Sequence, residues 1–244
     1  MDQMAGQHAV ADDLRIGGLD PDALAAAMDA NGAAVIPGLL DADTCVAMVR
    51  LFDDAARFRK RVVMEAHAYG RGEYQYFAYP LPQVVAGLRA ALYPPLAAIA
   101  NRWAAALGEV ARFPADHAAF LACCHAAGQT RPTPLLLRYG PGDYNRLHQD
   151  VYGAEVFPLQ VVVLLSPPGA GFCGGEFVLT EQRARMQSRV EVVTLAQGDA
   201  VVFPVHHRPV TGPRGVSRAV MRHGVSRVRA GARMTLGIIF HDAA

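Results

Sequence analysis

The sequence predicts an α+β protein, with a helical N-terminal half packed on one face of a jelly-roll barrel. Two observations carry this. Up to Pro134 the chain runs in Ala-rich amphipathic stretches that begin and end with capping residues. After Pro134 short runs of Val, Leu and Phe alternate with Gly/Pro turns, the pattern of many short strands in a sandwich or barrel. A chain of 244 residues is long enough for one domain with a large core. Residues 19–244 read as that domain, with 19–134 as mainly helical support and 135–242 as the jelly-roll core; residues 1–18 read as a flexible tail.

The elements follow in order. Asp20-Pro21-Asp22 caps and opens a short helix that Gly32 ends. Residues 33–40 read as a short strand and turn, and Asp41 or Asp43 caps a helix whose apolar face is Cys45, Met48, Val49, Leu51 and Phe52. Residues 57–60 form a basic cluster, read as a solvated helix end. The tyrosines from Tyr74 to Tyr79 alternate in an extended segment with aromatics on both faces. Residues 81–108 are helical with a break at Pro94-Pro95, and 114–128 form a further capped helix carrying His117 and His125. The strand runs then occupy 157–166, 175–180, 191–195, 200–205, 219–225 and 233–240.

Composition narrows the class. Hydrophobic residues at 52% and charged residues at 18% exclude a disordered chain. No apolar run approaches the roughly 20 residues of a membrane span, and the acidic N-terminus lacks a secretory pattern, so the expectation is a cytoplasmic protein without a membrane partner. Cys45, Cys123, Cys124 and Cys173 lack zinc spacing and read as buried, inert thiols. The net charge of +1 conceals an asymmetry: ten arginines lie between Arg183 and Arg233 against two acids, Glu191 and Asp199. That balance suits either an anionic partner or solvated strand edges. The sequence sets no oligomeric state.

Chemistry concentrates between Leu135 and Asp150, LLLRYGPGDYNRLHQD. Side chains alternate along a strand, so His148 and Asp150 share a face. An imidazole and a carboxylate there make two thirds of a facial metal triad. The candidates for a third ligand are His206, His207, His223 and His241, of which His241 sits close to the chain end.

Arg138-Tyr139-Gly140-Pro141-Gly142 followed by His148-Gln149-Asp150 resembles the R-Y-x-P-G…H-Q-D stretch of AlkB-like oxygenases and the Y-x-x-G…H-x-D stretch of prolyl hydroxylases. Both are iron(II)/2-oxoglutarate-dependent dioxygenases. The resemblance covers residues 135–242, includes the Gly174-Gly175-Glu176 strand start, and implies a double-stranded β-helix, a cupin-like jelly roll. It implies Fe(2+), 2-oxoglutarate and O2 as the cofactor set. In prolyl-hydroxylase-like members a basic residue ten positions after the second iron His binds the distal carboxylate of 2-oxoglutarate. His223 and Arg233 match that spacing, which reads as a hairpin turning between them. The implied metal ligands are His148, Asp150 and His223, with His206-His207 as the rival. Arg233 and Tyr139 are the implied oxoglutarate contacts.

The whole chain is similar to a bacterial oxygenase family proposed to act on damaged nucleic acid. The implied reaction is hydroxylation, ending in demethylation where the carbon is an N-methyl. The implied partner is single-stranded or damaged nucleic acid, with Tyr74, Tyr76, Arg138 and Arg208 as substrate residues and 205–218 as an inserted loop near the barrel mouth. Hydroxylation of prolyl or other protein residues, or of a small molecule, is the alternative chemistry. A cupin-like binding barrel is the non-enzymatic one.

Overall fold

The computed structural model describes residues 18–110, 112–213 and 215–244. The expected tail lies, save Gly18, outside the described residues. Helix α1 (Pro21–Asn31) is capped by the Asp20 carboxylate, which accepts from the amides of Asp22 and Ala23, and ends at Gly32 in the left-handed region. Then come β1 (Ala34–Ile36), α2 (Ala42–Arg50, capped by Asp41), β2 (Phe58–Val63), β3 (Gly70–Arg71) and β4 (Glu73–Phe77). Helices α3 (Gln83–Ala106) and α4 (His117–Ala126) follow. The remaining strands are β5 (Leu135–Tyr139), β6 (Tyr144–His148), β7 (Leu159–Leu164), β8 (Phe172–Gly174), β9 (Phe177–Gln182) and β10 (Arg189–Val193). Last are β11 (Ala200–Pro204), β12 (His207–Gly212), β13 (Gly215–Val225), β14 (Val228–Gly231) and β15 (Arg233–Ile238).

Two antiparallel sheets face each other. The major sheet has the order β1-β11-β7-β15-β5-β4-β2, and the minor sheet β10-β9-β13-β6-β3, with β12 paired to β13. On the major sheet Leu136, Val161, Val163, Leu236 and Ile238 point outward onto the helices, packing with Leu88, Leu92, Tyr93, Leu96 and Phe120 into the main core. Their alternate neighbours, such as Leu135, Val162 and Thr235, point inward to the space between the sheets.

Three expectations about this architecture need correction. The N-terminal half holds α1 to α4, but it is not helical support alone: β1 to β4 also lie before residue 134 and extend the two sheets at their edges. The basic cluster at 57–60 ends only a single 3-10 turn, Ala55–Arg57, and runs on into strand β2. Charged side chains on an edge strand hide the alternating pattern while blocking edge-to-edge pairing. Helix α3 runs unbroken through Pro94-Pro95. An interior proline costs about 3 kcal/mol, but Leu88, Leu92, Tyr93, Leu96 and Ile99 are all buried along this helix, at about 1.5–3 kcal/mol each. By length and composition α3, though interrupted by Arg89 and Arg102, is apolar enough to cross a membrane; here its buried face packs on the sheet core. Among the cysteines, Cys45 and Cys124 are buried as expected, whereas Cys123 and Cys173 are exposed.

Candidate metal centre and its cavity

His148 ends β6 and His223 lies near the end of β13, directly opposite it in the antiparallel register. Cross-strand neighbours of this kind stand a few ångströms apart, and the two imidazole centroids are 4.2 Å apart. Asp150, two residues past His148, turns back between them. Its Oδ1 lies 3.6 Å from His148 Nε2 and its Oδ2 3.3 Å from His223 Nε2. One donor atom from each residue falls within 4.8 Å of the others, the only such group of three found among the described residues. The rival histidines are elsewhere. His207 Nε2 faces Glu109 at 3.7 Å, and the His206 ring lies 3.8 Å from that of His207 at a tilt of 49°.

The electrostatics favour ligands in their binding forms. His148 Nδ1 lies 2.7 Å from the Arg146 carbonyl oxygen, so a proton on Nδ1 leaves Nε2 free to donate its lone pair. Burial, then the neighbouring His223, holds the His148 imidazole below its ordinary pKa, favouring the neutral form. For Asp150 burial alone would raise the pKa. The hydrogen bond to His223, the two imidazoles and Gln160 outweigh it and hold the carboxyl well below the usual range.

The triad opens into a cavity of about 460 Å3 between the sheets. Leu135, Leu137, Val162, Phe177 and Phe203 give it apolar walls. Arg233, at the start of β15, lies on its floor with 2% of its surface exposed. It makes no hydrogen bond or ion pair among the described residues, and its buried Nε is unpartnered. Its nearest aromatic is Tyr139, directly opposite in register, whose ring centroid is 5.7 Å from the guanidinium carbon. Burial pushes the Arg233 guanidinium down to about 10 and the Tyr139 phenol up to about 12. Two glycines permit this arrangement. A Cβ on Gly175 would meet Arg233 Cδ at 2.8 Å, and one on Gly72 would meet Tyr139 Cδ1 at 2.8 Å; both residues have positive φ. A buried cation without a partner is costly. Together with the His148–Asp150–His223 group, this donor set fits a divalent ion accompanied by a carboxylate ligand.

Tyr74 and Tyr76, alternating on β4, also line the cavity, with ring centroids 5.4 Å apart at near-perpendicular planes. Arg138 and Arg208 do not. Arg138 alternates to the opposite face from Tyr139, where it pairs with Glu73 and Asp53 and covers the Phe52 ring. Arg208 is buried against Glu181, with Nε 2.8 Å from Oε2. Their proposed substrate contacts are therefore withdrawn: both guanidinium groups serve the scaffold. Residues 205–218 are not a loop, since β12 and β13 form a hairpin paired from His207↔Val220 to Gly212↔Gly215. Nor do His223 and Arg233 flank a hairpin. Strand β14 intervenes, pairs with β8, and carries the chain from the minor to the major sheet. The C-terminal arginine excess is also partly consumed internally: Arg183, Arg189 and Arg208 converge on Glu181, and Arg218 pairs with Glu109.

Sequence reasoning missed Tyr152, Asn145 and Gln160, which line the same cavity. Tyr152 continues the two-residue alternation from His148 and Asp150, a signal that was present. Nothing local to Asn145 or Gln160 marks them.

A His-Asp-His group that could hold a metal ion lies between two antiparallel sheets, beside a buried guanidinium with no ion-pair partner among the described residues. The fold resembles solved structures of oxygenases. An oxidoreductase of the 2OG-Fe(II) oxygenase family from Burkholderia pseudomallei superposes with TM-score 0.55 at 17% identity, covering 93% of this chain and 94% of that one. A Pseudomonas putida prolyl-4-hydroxylase superposes with TM-score 0.51 at 16% identity, covering 92% and 100%. Residues 72–243 match the family described as "Oxygenase, catalysing oxidative methylation of damaged DNA", and the chain belongs to that family of oxygenases. It is also 48% identical over 194 residues to the uncharacterized protein Rv2227 of Mycobacterium tuberculosis, covering 78% of this chain and 83% of the relative. Membership of an oxygenase family sets aside the cupin-like binding barrel.

Proposed function

We propose that this oxygenase is an Fe(II)- and 2-oxoglutarate-dependent dioxygenase that hydroxylates alkylated nucleic acid, single-stranded in preference to duplex, with demethylation as the outcome at N-methyl carbons. The observation that carries this reading is one cavity that combines the His148–Asp150–His223 cluster with a buried guanidinium lacking a hydrogen-bond or ion-pair partner among the described residues. Bound ferrous iron with 2-oxoglutarate and dioxygen supplies oxidation of an unactivated C–H bond, with succinate and carbon dioxide as co-products.

The chain's own residues bind, orient and shield. His148, Asp150 and His223 hold the metal from one side, leaving the cavity side open. Arg233 offers a planar fork to the distal carboxylate of 2-oxoglutarate, and Tyr139 closes the wall beside it. The apolar walls keep water from the reacting carbon. Tyr74 and Tyr76 present rings on which a planar base can stack after leaving its neighbours. The family description supports the nucleic-acid substrate.

The test is release of succinate and formaldehyde from methylated single-stranded DNA or RNA, compared at low and high salt. Substrate binding through phosphates must weaken steeply as salt rises. Turnover only with a proline-containing peptide or a free small molecule would replace the nucleic-acid reading while leaving the reaction class intact.

A further inference from the structure

Five of the ten arginines that gave the C-terminal half its basic balance, Arg183, Arg189, Arg208, Arg218 and Arg233, are paired or buried, which directs the search for a phosphate-binding surface elsewhere as well. Strand β2 supplies one. It is the edge strand of the major sheet, next to β4, which carries Tyr74 and Tyr76 into the cavity wall. The pairing of β2 with β4 shifts register between Phe58 and Lys60, and Lys60 stands opposite Tyr76. A bulge of this kind sets two residues against one and re-aims a side chain. Arg59, the extra residue, lies with its guanidinium carbon 4.7 Å from the Tyr76 ring centroid. Its Nε donates to the Pro132 carbonyl at 2.8 Å, which brings it beside Arg131. The Arg131 backbone is itself pinned by paired hydrogen bonds with Ala243, and its side chain is exposed.

The neighbours on this edge separate into two groups. Arg57 is paired with Asp54, and Arg61 with Glu73. Arg59, Lys60 and Arg131 have no ion-pair partner among the described residues. Three cations without an ion-pair partner among the described residues thus lie along or beside this edge; none lines the cavity itself, and Arg59 reaches its wall through Tyr76, whose ring it covers.

We propose that Arg59, Lys60 and Arg131 form a phosphate-binding strip along the β2 edge, over which a single-stranded nucleic acid delivers one base past Tyr76 into the cavity. The inference rests on the nucleic-acid reading above. Adjacent aromatic rings and unpaired cations are the two components of a single-strand site, one for bases and one for phosphates. An acidic peptide would use the cations but not the rings of Tyr74, Tyr76 and Tyr152.

The test measures binding of a fluorescein-labelled thymidine oligonucleotide by anisotropy across a salt series. It uses the metal-loaded protein and the variants Lys60→Ala/Arg131→Ala and Arg222→Ala. Arg222 is an exposed C-terminal arginine outside the strip. Each lost phosphate contact on a single strand removes about 0.7 from the slope of log K against log salt, so the double variant should lose about 1.4. At 0.1 M salt that is about 25-fold weaker binding. Arg222→Ala should bind like wild type, and all variants should keep wild-type affinity for oxoglutarate and the same Tm. Wild-type binding with an unchanged slope in the double variant would overturn the strip and leave the nucleic-acid reading standing. Wild-type protein that binds no oligonucleotide at any salt would overturn both. Displacement of the oligonucleotide by poly-glutamate as readily as by unlabelled oligonucleotide would also overturn the strip as a nucleic-acid site.

Discussion

Replacing Arg233 by Met should make the protein more stable and unable to bind 2-oxoglutarate. Arg233 is 2% exposed and has no carboxylate partner among the described residues, and burial pushes its pKa from 12.5 down to about 10. At neutral pH the group is charged both folded and unfolded. Carrying that charge in the cavity then costs on the order of 3 kcal/mol relative to the unfolded chain. Met fills a similar volume without a charge, so most of that penalty is recovered. For a chain of this length each kcal/mol moves Tm by about 2–4 °C, which predicts a rise of several degrees. Binding should change in the opposite sense. Losing a charge-paired, desolvated contact costs about 3–5 kcal/mol, a loss of affinity of at least a hundredfold. Thermal unfolding with and without 2-oxoglutarate, in the presence of a divalent ion, reads both effects: the variant should start higher and show no ligand-induced shift. Arg233→Lys should fall between, because the charge remains and the planar fork is lost. An Arg233→Met protein that melts below wild type yet keeps the full oxoglutarate shift would refute the reasoning.

Three further outcomes follow from particular contacts. His148→Ala, Asp150→Ala and His223→Ala should each abolish metal binding measured by calorimetry, whereas His207→Ala, outside the cluster, should leave it intact; the converse for His223 and His207 would move the third ligand. Arg208→Ala leaves the buried Glu181 carboxylate without its closest partner and should destabilise by about 3 kcal/mol or more, with oxoglutarate affinity unchanged; a drop in substrate affinity at unchanged Tm would return Arg208 to the substrate site. Burial, aided by Arg89, holds His117 and His241 down at about 4, against 6.5 in the unfolded chain. The unfolded state therefore takes up protons first, so this stability is complete above pH 6.5 and is lost as pH falls towards 4. Urea midpoints that stay flat from pH 7 to 4.5, or a His117→Gln variant with an unaltered decline, would contradict that assignment.

Much of the site was legible because it is local. His148 and Asp150 sit two apart on an extended segment, and Tyr74 and Tyr76 likewise, so strand alternation alone puts each pair on one face. Helix caps at Asp20, Asp41 and Asp116 are equally local, each a carboxylate two or three residues from the amides it accepts from. Arg138 and Arg208 were misread for the converse reason. Their type and neighbourhood fit a substrate role, but their partners Glu73 and Glu181 lie 65 and 27 residues away.

The sequence by itself determined the strand-rich second half, the turn that presents His148 and Asp150, and the candidates for a third ligand. Only the tertiary structure brought one of those candidates, His223, beside His148 and Asp150. It did so through the register that sets His223 against His148 across two strands distant in the chain. It also decided that β1 to β4 join the sheets, because an edge strand gains its hydrogen bonds and its buried face from a neighbour rather than from its own pattern. The same holds for Arg233: its sequence position supplied a cation, and the closing of two sheets around it removed water without supplying a carboxylate. Burial and pairing are properties of contacts between distant segments, and a one-dimensional pattern carries them only where the two segments are adjacent.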